Sequence, residues 1–197
     1  MSRTTKACLA IWTAVLLTAG GWIGWNTWQG SQASTDGLEI GGPFSLTDQN
    51  SQSFTDADLK GRPTLLYFGY SYCPDVCPTS LLLMETAVEI LGPSAAQKVN
   101  IVFITIDPER DTPQLMKGFV PNFGPTIVGL TGSPDQIAAV ARAYKVFYRK
   151  VPSRDDGPYL MDHSSIVYLL DRKGRFIEGF THESTAEDIA RALRKIM

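Results

Sequence analysis

The sequence predicts an α/β sandwich, in which helices cover a sheet whose first core strands are parallel. Two uninterrupted apolar runs, Thr64 to Gly69 and Val99 to Ile106, have the length and composition of strands buried on both faces. A segment with apolar residues at helical spacing follows the first run, which is typical of parallel strands joined by a helical crossover. The region from Pro43 to Met197 holds about 155 residues, enough for one well-buried domain.

The domain is predicted to start with a small hairpin made of Phe44 to Thr47 and Gln52 to Phe54. The apolar run Thr64 to Gly69 should then form a central strand. A helix is expected from about Thr79 to Leu91, because its apolar residues recur at helical spacing and Gly92-Pro93 stops it.

Two N-terminal helix signals follow the second core strand. Thr112-Pro113 and Ser133-Pro134 each combine an N-cap residue with a proline at the first helical position. They predict helices near Gln114 to Asn122 and Asp135 to Tyr144. The short run Ile127 to Leu130 between them is predicted to be a strand.

The chain is predicted to close with a hairpin and a helix. Ser165 to Leu170 and Arg175 to Phe180 flank a turn, and the capping-box pattern Ser184 to Glu187 opens the last helix. The resulting order β-α-β-α-β-α-β-β-α describes a thioredoxin-like α/β sandwich with an N-terminal hairpin extension.

An apolar segment near the N-terminus predicts one transmembrane helix. Ala7 to Trp25 contains no charge in 19 residues, which covers close to the ~30 Å hydrocarbon thickness at ~1.5 Å per residue. Arg3 and Lys6 precede it, while no Lys or Arg occurs from Asn26 to Leu59. By the positive-inside rule, the N-terminus should be cytoplasmic and the domain extracytoplasmic.

These features divide the chain into three parts. We expect residues 1–28 to form the cytoplasmic N-terminus and transmembrane anchor, 29–42 a flexible linker, and 43–197 the thioredoxin-like domain. Only six residues precede the apolar run, too few for a transit peptide, which favours a bacterial inner membrane with the domain in the periplasm. The alternative is a signal peptide cleaved after Ala33.

Two cysteines of the domain lie four residues apart, directly after the first core strand. A positive helix end nearby favours thiolate over thiol, and thiolates bind soft metals or attack disulfides. Three residues separate Cys73 from Cys77, one more than in the thioredoxin Cys-x-x-Cys motif, which gives a wider bite that a metal ion could bridge. A disulfide across the pair remains geometrically feasible. Cys8 lies within the N-terminal apolar run and should be inert.

One of the two histidines is placed to join the cysteines. His163 precedes the strand of the last hairpin, where thioredoxins usually carry a cis-proline, so we expect it to face the cysteine loop. Two thiolates and one imidazole suit Cu(I), and with a further weak ligand Cu(II). Zinc is the rival, but structural zinc sites want four ligands. Asp162 would supply the fourth ligand or a hydrogen-bond partner for the imidazole, while His182 is expected to be a solvated loop residue.

The balance of charge argues against one class of partner. The chain has 18 Lys and Arg against 20 Asp and Glu, and no basic stripe is visible in the sequence. Nucleic acid is therefore not an expected partner.

Three motifs resemble those of the Sco/SenC family: Cys73-Pro-Asp-Val-Cys77-Pro-Thr, Thr105-Ile-Asp-Pro-Glu-Arg-Asp-Thr-Pro113 and Asp162-His163-Ser164. Members of that family are membrane-tethered thioredoxin-like proteins that bind copper and help assemble the dinuclear copper A centre of cytochrome c oxidase. The resemblance implies metal-ligand roles for Cys73, Cys77 and His163.

The resemblance also implies partners: a membrane, a copper-receiving oxidase subunit, and a periplasmic copper donor or thiol reductase. The alternative function is an extracytoplasmic thiol-disulfide oxidoreductase using Cys73 and Cys77 as its catalytic pair. The second motif, Asp107 to Asp111, has two interpretations. Either it orders the loops around the metal through Asp/Arg pairs, or it caps the next helix.

Overall fold

A seven-stranded sheet forms the centre of the domain. The computed structural model describes residues 40–152 and 157–197. Strand order is β2-β1-β5-β4-β3-β8-β9, and the elements have these bounds: β1 Ser45–Asp48, β2 Ser53–Thr55, β3 Thr64–Gly69, β4 Asn100–Thr105, β5 Ile127–Thr131, β8 Val167–Leu170 and β9 Phe176–Phe180. Strands β3, β4 and β5 are parallel, whereas β1, β8 and β9 pair antiparallel with their neighbours. This confirms the predicted sandwich and its N-terminal hairpin.

The four predicted helices connect these strands, and one further turn, Pro93–Ala96, was not predicted. They are α1 Val76–Leu91, the single turn α2 Pro93–Ala96, α3 Pro113–Phe119, α4 Pro134–Ala143 and α5 Ala186–Ile196, and short 3-10 helices cover Asp56–Leu59 and Val120–Asn122. Side chains alternate across β3: Tyr67 packs against Phe103 of β4, and Phe68 packs against Tyr144 at the end of α4. All six residues of β3 are buried, so both faces of the central strand are covered, which explains its uninterrupted apolar sequence.

Helix α1 begins earlier than predicted. It starts at Val76 rather than near Thr79, with Asp75 as its N-cap residue. Pro78 is compatible with this because the first turn of a helix has no internal partner for its N–H groups. As a result Cys77 lies inside the first helical turn, and Cys73 lies in the loop before it.

The last helix starts one residue later than its predicted capping box. Thr185 is the N-cap residue, and Asp188 completes the box by accepting a hydrogen bond from the Thr185 backbone N–H at 3.0 Å. The pattern Ser184 to Glu187 has the same residue classes one position earlier, so sequence alone did not separate the two registers.

A second, two-stranded sheet was not predicted. Strands β6 Tyr148–Val151 and β7 Leu160–His163 pair antiparallel, with Tyr148 opposite His163. This hairpin places His163 at the end of β7, with three residues between it and the start of β8.

The predicted transmembrane helix and linker fall largely outside the described residues. Among residues 40–152 and 157–197, no helix is both long and apolar enough to cross a membrane. The predicted transmembrane segment, residues 7–25, lies wholly outside the described residues.

Candidate metal centre

The structure brings the three predicted site residues together from separate parts of the chain. One ligand atom each from Cys73, Cys77 and His163 lies within 4.8 Å of the other two. The distance from Cys77 Sγ to His163 Nε2 is 3.5 Å. Cys77 is fully buried, Cys73 is 7% exposed and His163 is half-buried. The two sulfurs therefore differ in access to solvent.

A backbone hydrogen bond sets the tautomer of His163. Its Nδ1 lies 3.0 Å from the carbonyl oxygen of Ser164, and since a carbonyl can only accept, Nδ1 carries the proton. The lone pair of Nε2 then faces Cys77. Asp162 has neither of its predicted roles, because its carboxylate is bonded to Arg149 at 2.9 Å and 3.1 Å on the exposed side of the hairpin.

Two tyrosine rings hold the imidazole in place. Tyr67 and Tyr70 both meet His163 edge to face, with ring centroids 6.2 Å and 5.9 Å away. The Tyr67 hydroxyl also lies 4.0 Å from Cys77 Sγ, and burial raises the pKa of that hydroxyl so that it stays protonated. The ring nitrogen and the buried sulfur thus share one supporting side chain.

The local hydrogen bonds make Cys73 the thiolate of the pair. The pKa of Cys73 is lowered to about 4, first by the hydrogen bond from Cys77 and further by the backbone N–H groups of Asp75 and Cys77, against the opposing effect of burial. The pKa of Cys77 is raised by the same sulfur–sulfur hydrogen bond and by burial. The more exposed sulfur therefore carries the charge.

A cavity of about 360 Å³ opens beside the site. Its lining includes Tyr70, Cys73, Pro74, Val76, Leu160 and His163. Cys77 does not line this cavity and lies beneath it, fully buried. A ligand or partner entering the cavity would meet Cys73 and His163 first.

Asp111 ties the cysteine loop to the sheet. Its carboxylate is fully buried and accepts hydrogen bonds from the Ser71 backbone N–H at 3.0 Å, the Ser71 hydroxyl and the Thr105 hydroxyl at 2.6 Å. Burial raises the pKa of Asp111, and these donors oppose that shift. Ser71 lies two residues before Cys73, so this buried carboxylate fixes the start of the loop.

Asp107 and Arg110 tie the histidine hairpin to the same centre. Asp107 is 1% exposed; it pairs with Arg110 and accepts a hydrogen bond from the Tyr159 hydroxyl at 2.8 Å. Arg110 in turn donates to the Tyr159 carbonyl at 2.9 Å and stacks on the Tyr159 and Tyr72 rings, with its guanidinium carbon 3.7 Å and 4.7 Å from their centroids. Tyr159 directly precedes β7.

These contacts decide between the two interpretations of the second motif. The motif orders both site segments, and the cap of α3 is Thr112, whose hydroxyl accepts from the Leu115 backbone N–H. Sequence reasoning missed Ser71 and Tyr159, and it quoted Thr105 as the first residue of the second motif without giving it a role. No spacing pattern marks Ser71 and Tyr159, since they come from separate segments and act only through the two buried carboxylates.

The remaining candidates are not part of the centre. His182 is exposed in the turn after β9, as expected, and is not within the Cys/His group. Cys8 lies outside the described residues.

Fold and site together define a class: a thioredoxin-like domain with two cysteines and one histidine poised at the carboxyl end of its central strand. The SCO1/SenC family profile matches residues 32–197. The chain therefore belongs to the SCO1/SenC family.

Individual relatives agree. A SCO2-like protein of Rickettsia felis is 46% identical over 162 residues, covering 81% of this chain and 78% of the relative. The copper-bound structure of Bradyrhizobium japonicum ScoI is 49% identical, covers 80% of this chain and 99% of its own, and has a TM-score of 0.73. Copper-bound yeast Sco1 is 32% identical, with coverages of 80% and 87% and a TM-score of 0.73.

The absence of a side chain at Gly69 makes room for the sulfur of Cys77. A Cβ at position 69 would lie 2.7 Å from Cys77 Sγ and 2.9 Å from the Phe103 and Tyr67 rings. Gly69→Ala should therefore lower the free energy of unfolding by about 1–3 kcal/mol, the usual cost of overpacking, and weaken binding of a thiophilic metal ion. Urea denaturation and competition with a chromophoric chelator measure the two effects.

Gly118→Ala is the matched control, since a Cβ there meets nothing within 4 Å. It should leave metal binding unchanged. Equal behaviour of the two variants would show that position 69 does not constrain the sulfur.

The asymmetry of the two thiols predicts selective alkylation. With its pKa at about 4, Cys73 should react with iodoacetamide at a rate nearly independent of pH from 5.5 to 8, whereas an ordinary thiol loses about tenfold per pH unit in this range. Peptide mass spectrometry separates Cys73 from the buried Cys77.

Cys77→Ala provides the comparison. It removes the thiol that donates to Cys73, so the pKa of Cys73 should rise and its alkylation should become pH-dependent. A steep pH profile in the unchanged protein would contradict the assignment of Cys73 as the thiolate.

Proposed function

We propose that this protein binds copper through Cys73, Cys77 and His163 and delivers it to a subunit of cytochrome c oxidase during assembly of the dinuclear copper A centre. The observation that carries the proposal is the approach of two sulfurs and one imidazole nitrogen to within 4.8 Å, in a chain similar to copper-bound ScoI and Sco1. The receiving subunit is inferred from the family resemblance.

The donor set fits copper in both number and size. An ion bonded at about 2.0–2.3 Å to three ligands in a plane separates those ligands by roughly 3.5–4 Å. The 3.5 Å distance from Cys77 Sγ to His163 Nε2 already meets this requirement. Two soft sulfurs and one nitrogen match Cu(I), and Cu(II) is accommodated with a further weak ligand. Among the described residues, the group offers three ligands rather than the four that structural zinc sites use.

The difference between the sulfurs gives each a role in transfer. Cys73 lines the cavity and carries the thiolate, so it is the first ligand that an incoming partner thiolate can replace. Cys77 releases its proton on binding and holds the ion from below. His163 is already in the ligating tautomer because Nδ1–H is bonded to Ser164. Transfer is then an exchange of ligands with no change in the oxidation state of copper.

The membrane attachment forms part of the proposal. We place residues 7–25 across a bacterial inner membrane and the described domain in the periplasm. The support is the 19-residue uncharged segment, the basic residues Arg3 and Lys6 before it, and the absence of Lys and Arg from residues 26 to 59. In the periplasm, a copper donor would supply the metal, and a thiol reductase would keep Cys73 and Cys77 reduced.

Thiol-disulfide exchange is the second candidate function. It is favoured by the low pKa of Cys73 and by the buried Cys77 thiol beside it, since the first can attack a partner disulfide and the second can resolve the mixed disulfide. In that reaction the two cysteines become a disulfide while the partner disulfide is reduced to two thiols. The exchange itself uses the two sulfurs and does not require the imidazole of His163.

Substitution of the three residues tests the proposal. Cys73→Ser and Cys77→Ser each remove a soft donor, so Cu(I) affinity should fall by more than the 10–100-fold typical of changes outside the ligand set. His163→Ala leaves two thiolates that still hold Cu(I), but Cu(II) binding should be lost. Chelator competition and electron paramagnetic resonance report the two oxidation states.

His182→Ala serves as a control, because that imidazole is exposed and outside the group. Oxidase activity in cells separates the two functions: His163→Ala should lower it if copper delivery is the function and leave it intact if dithiol reduction suffices. Full binding of both oxidation states by His163→Ala would remove the histidine from the site.

A topology measurement tests the membrane attachment. A periplasm-dependent reporter fused after Met197 should be active, and the protein should stay in the membrane fraction after a high-salt wash. Recovery of a soluble form starting near Ser34 would show cleavage instead, and an inactive reporter would reverse the orientation.

A further inference from the structure

The end of the domain opposite the metal centre is rich in exposed cations. We define the basic end by eight exposed residues: Lys60, Arg62, Lys98, Arg172, Lys173, Arg175, Arg194 and Lys195. They include eight of the 18 Lys and Arg of a chain whose net charge is −2, so the remaining residues are net acidic. This asymmetry is invisible in the sequence, where the cations lie in four separate segments.

Backbone hydrogen bonds bring these four segments together. The Gly61 N–H donates to the Arg172 carbonyl at 2.8 Å, and the Asn100 N–H donates to the Pro63 carbonyl at 2.9 Å. The Arg172 side chain bonds the Met197 carbonyl at the end of α5. The start of β3, the start of β4, the β8–β9 turn and the end of α5 therefore share one end of the sheet.

Most of this charge has no partner. Lys60 pairs with Asp56 at 3.7 Å and Arg175 with Asp171 at 2.6 Å. Arg172 is bonded to the Met197 carbonyl, and within the described part of the chain the other five cations form no ion pair with a carboxylate within 4.0 Å. The helix dipole favours Arg194 and Lys195 in the last turn of α5, but it does not account for Arg62, Lys98 or Lys173.

We propose that the basic end docks on the anionic phospholipid headgroups of the membrane to which the chain is attached. The inference rests on the proposed anchoring, which keeps the domain beside a bilayer. Ile40 packs against the core and the Gly41 N–H donates to the Ala143 carbonyl at 2.9 Å, so the tether is residues 29–39, which reach at most about 36–40 Å, enough for this end to meet the surface. Cations spread over four exposed segments can contact many phosphate groups of a bilayer surface at once. Each Lys or Arg near an anionic surface contributes about 1 kcal/mol, which is about a fivefold preference for the docked state.

Docking in this way would orient the metal centre. Strand β3 runs from Arg62 and Pro63 at the basic end to the loop that carries Cys73, a distance of about 20 Å for six residues. Cys73 and the cavity beside it would then point away from the bilayer. A water-soluble copper donor could approach the site without displacing the domain.

Lysine acetylation of the full chain in lipid nanodiscs tests this proposal. Nanodiscs of phosphatidylcholine alone are compared with discs containing phosphatidylglycerol, and the acetylation rate of each lysine is read by mass spectrometry. Lys60, Lys98, Lys173 and Lys195 should react at least about threefold more slowly with the anionic lipid. Lys117 and Lys145, exposed elsewhere on the domain, should not change. Salt at 0.5 M should abolish the difference, because it screens exposed charges.

Paired variants give the control. Arg62→Gln with Arg194→Gln removes two charges of the basic end without touching a reporter lysine, and the protection should fall. Lys117→Gln with Arg142→Gln removes two charges elsewhere, with Arg142 also in the last turn of a helix, and the protection should persist. Copper stoichiometry should be equal in both, since neither pair touches the metal centre.

Several results would overturn the proposal: equal acetylation in the two lipids, protection of Lys117 and Lys145 as well, or unchanged protection in the Arg62→Gln/Arg194→Gln variant. Failure of the chain to co-elute with phosphatidylcholine nanodiscs would instead refute the anchor. Flotation with phosphatidylglycerol vesicles would then still decide whether the basic end binds anionic lipid.

Discussion

Two buried carboxylates hold the metal centre together. Asp107 and Asp111 are almost fully shielded from water, so each is tolerated only with its hydrogen bonds made. Asp111 obtains them from Ser71 and Thr105, and Asp107 from Arg110 and Tyr159. The first set fixes the loop before Cys73, and the second fixes the strand that ends in His163. Loss of either carboxylate would leave donors unpaired at the very segments whose separation sets the ligand distances.

The same construction prepares the ligands before any metal arrives. His163 is held by the Ser164 carbonyl and by two tyrosine rings. The Cys77 sulfur packs against Gly69, where any side chain would collide with it. Little conformational entropy remains to be lost at these two positions when an ion binds. Cys73 lies in the loop and lines the cavity, so the one ligand that must be exchanged is also the one that solvent and partners can reach.

Local patterns of the sequence were sufficient for the core. The run Thr64–Gly69 was predicted with correct bounds because both of its faces are buried, which leaves an uninterrupted apolar signature. Strand β6 was missed for the opposite reason: it carries Arg149 and Lys150 on a hairpin that is mostly exposed, so no apolar period marks it. The cysteine and histidine residues were identified by residue type and position. Two of their supporting residues, Ser71 and Tyr159, depend on contacts across 40 and 52 positions of sequence and have no local signature.

The histidine is the group that distinguishes the two chemistries open to this site. A low-pKa thiolate above a buried thiol would serve metal exchange and disulfide exchange equally well, so the cysteines by themselves favour neither. Disulfide exchange needs only the two sulfurs and an open approach. A three-coordinate metal site additionally needs a third donor with a free lone pair, at a distance set by the ion. His163 satisfies both conditions: its proton is on Nδ1, which donates to the Ser164 carbonyl, and its Nε2 lies 3.5 Å from Cys77 Sγ. Tyr159, Asp107 and Arg110 form the hydrogen bonds that hold the strand ending in His163. Disulfide exchange does not require this histidine, so its fixed position favours metal binding.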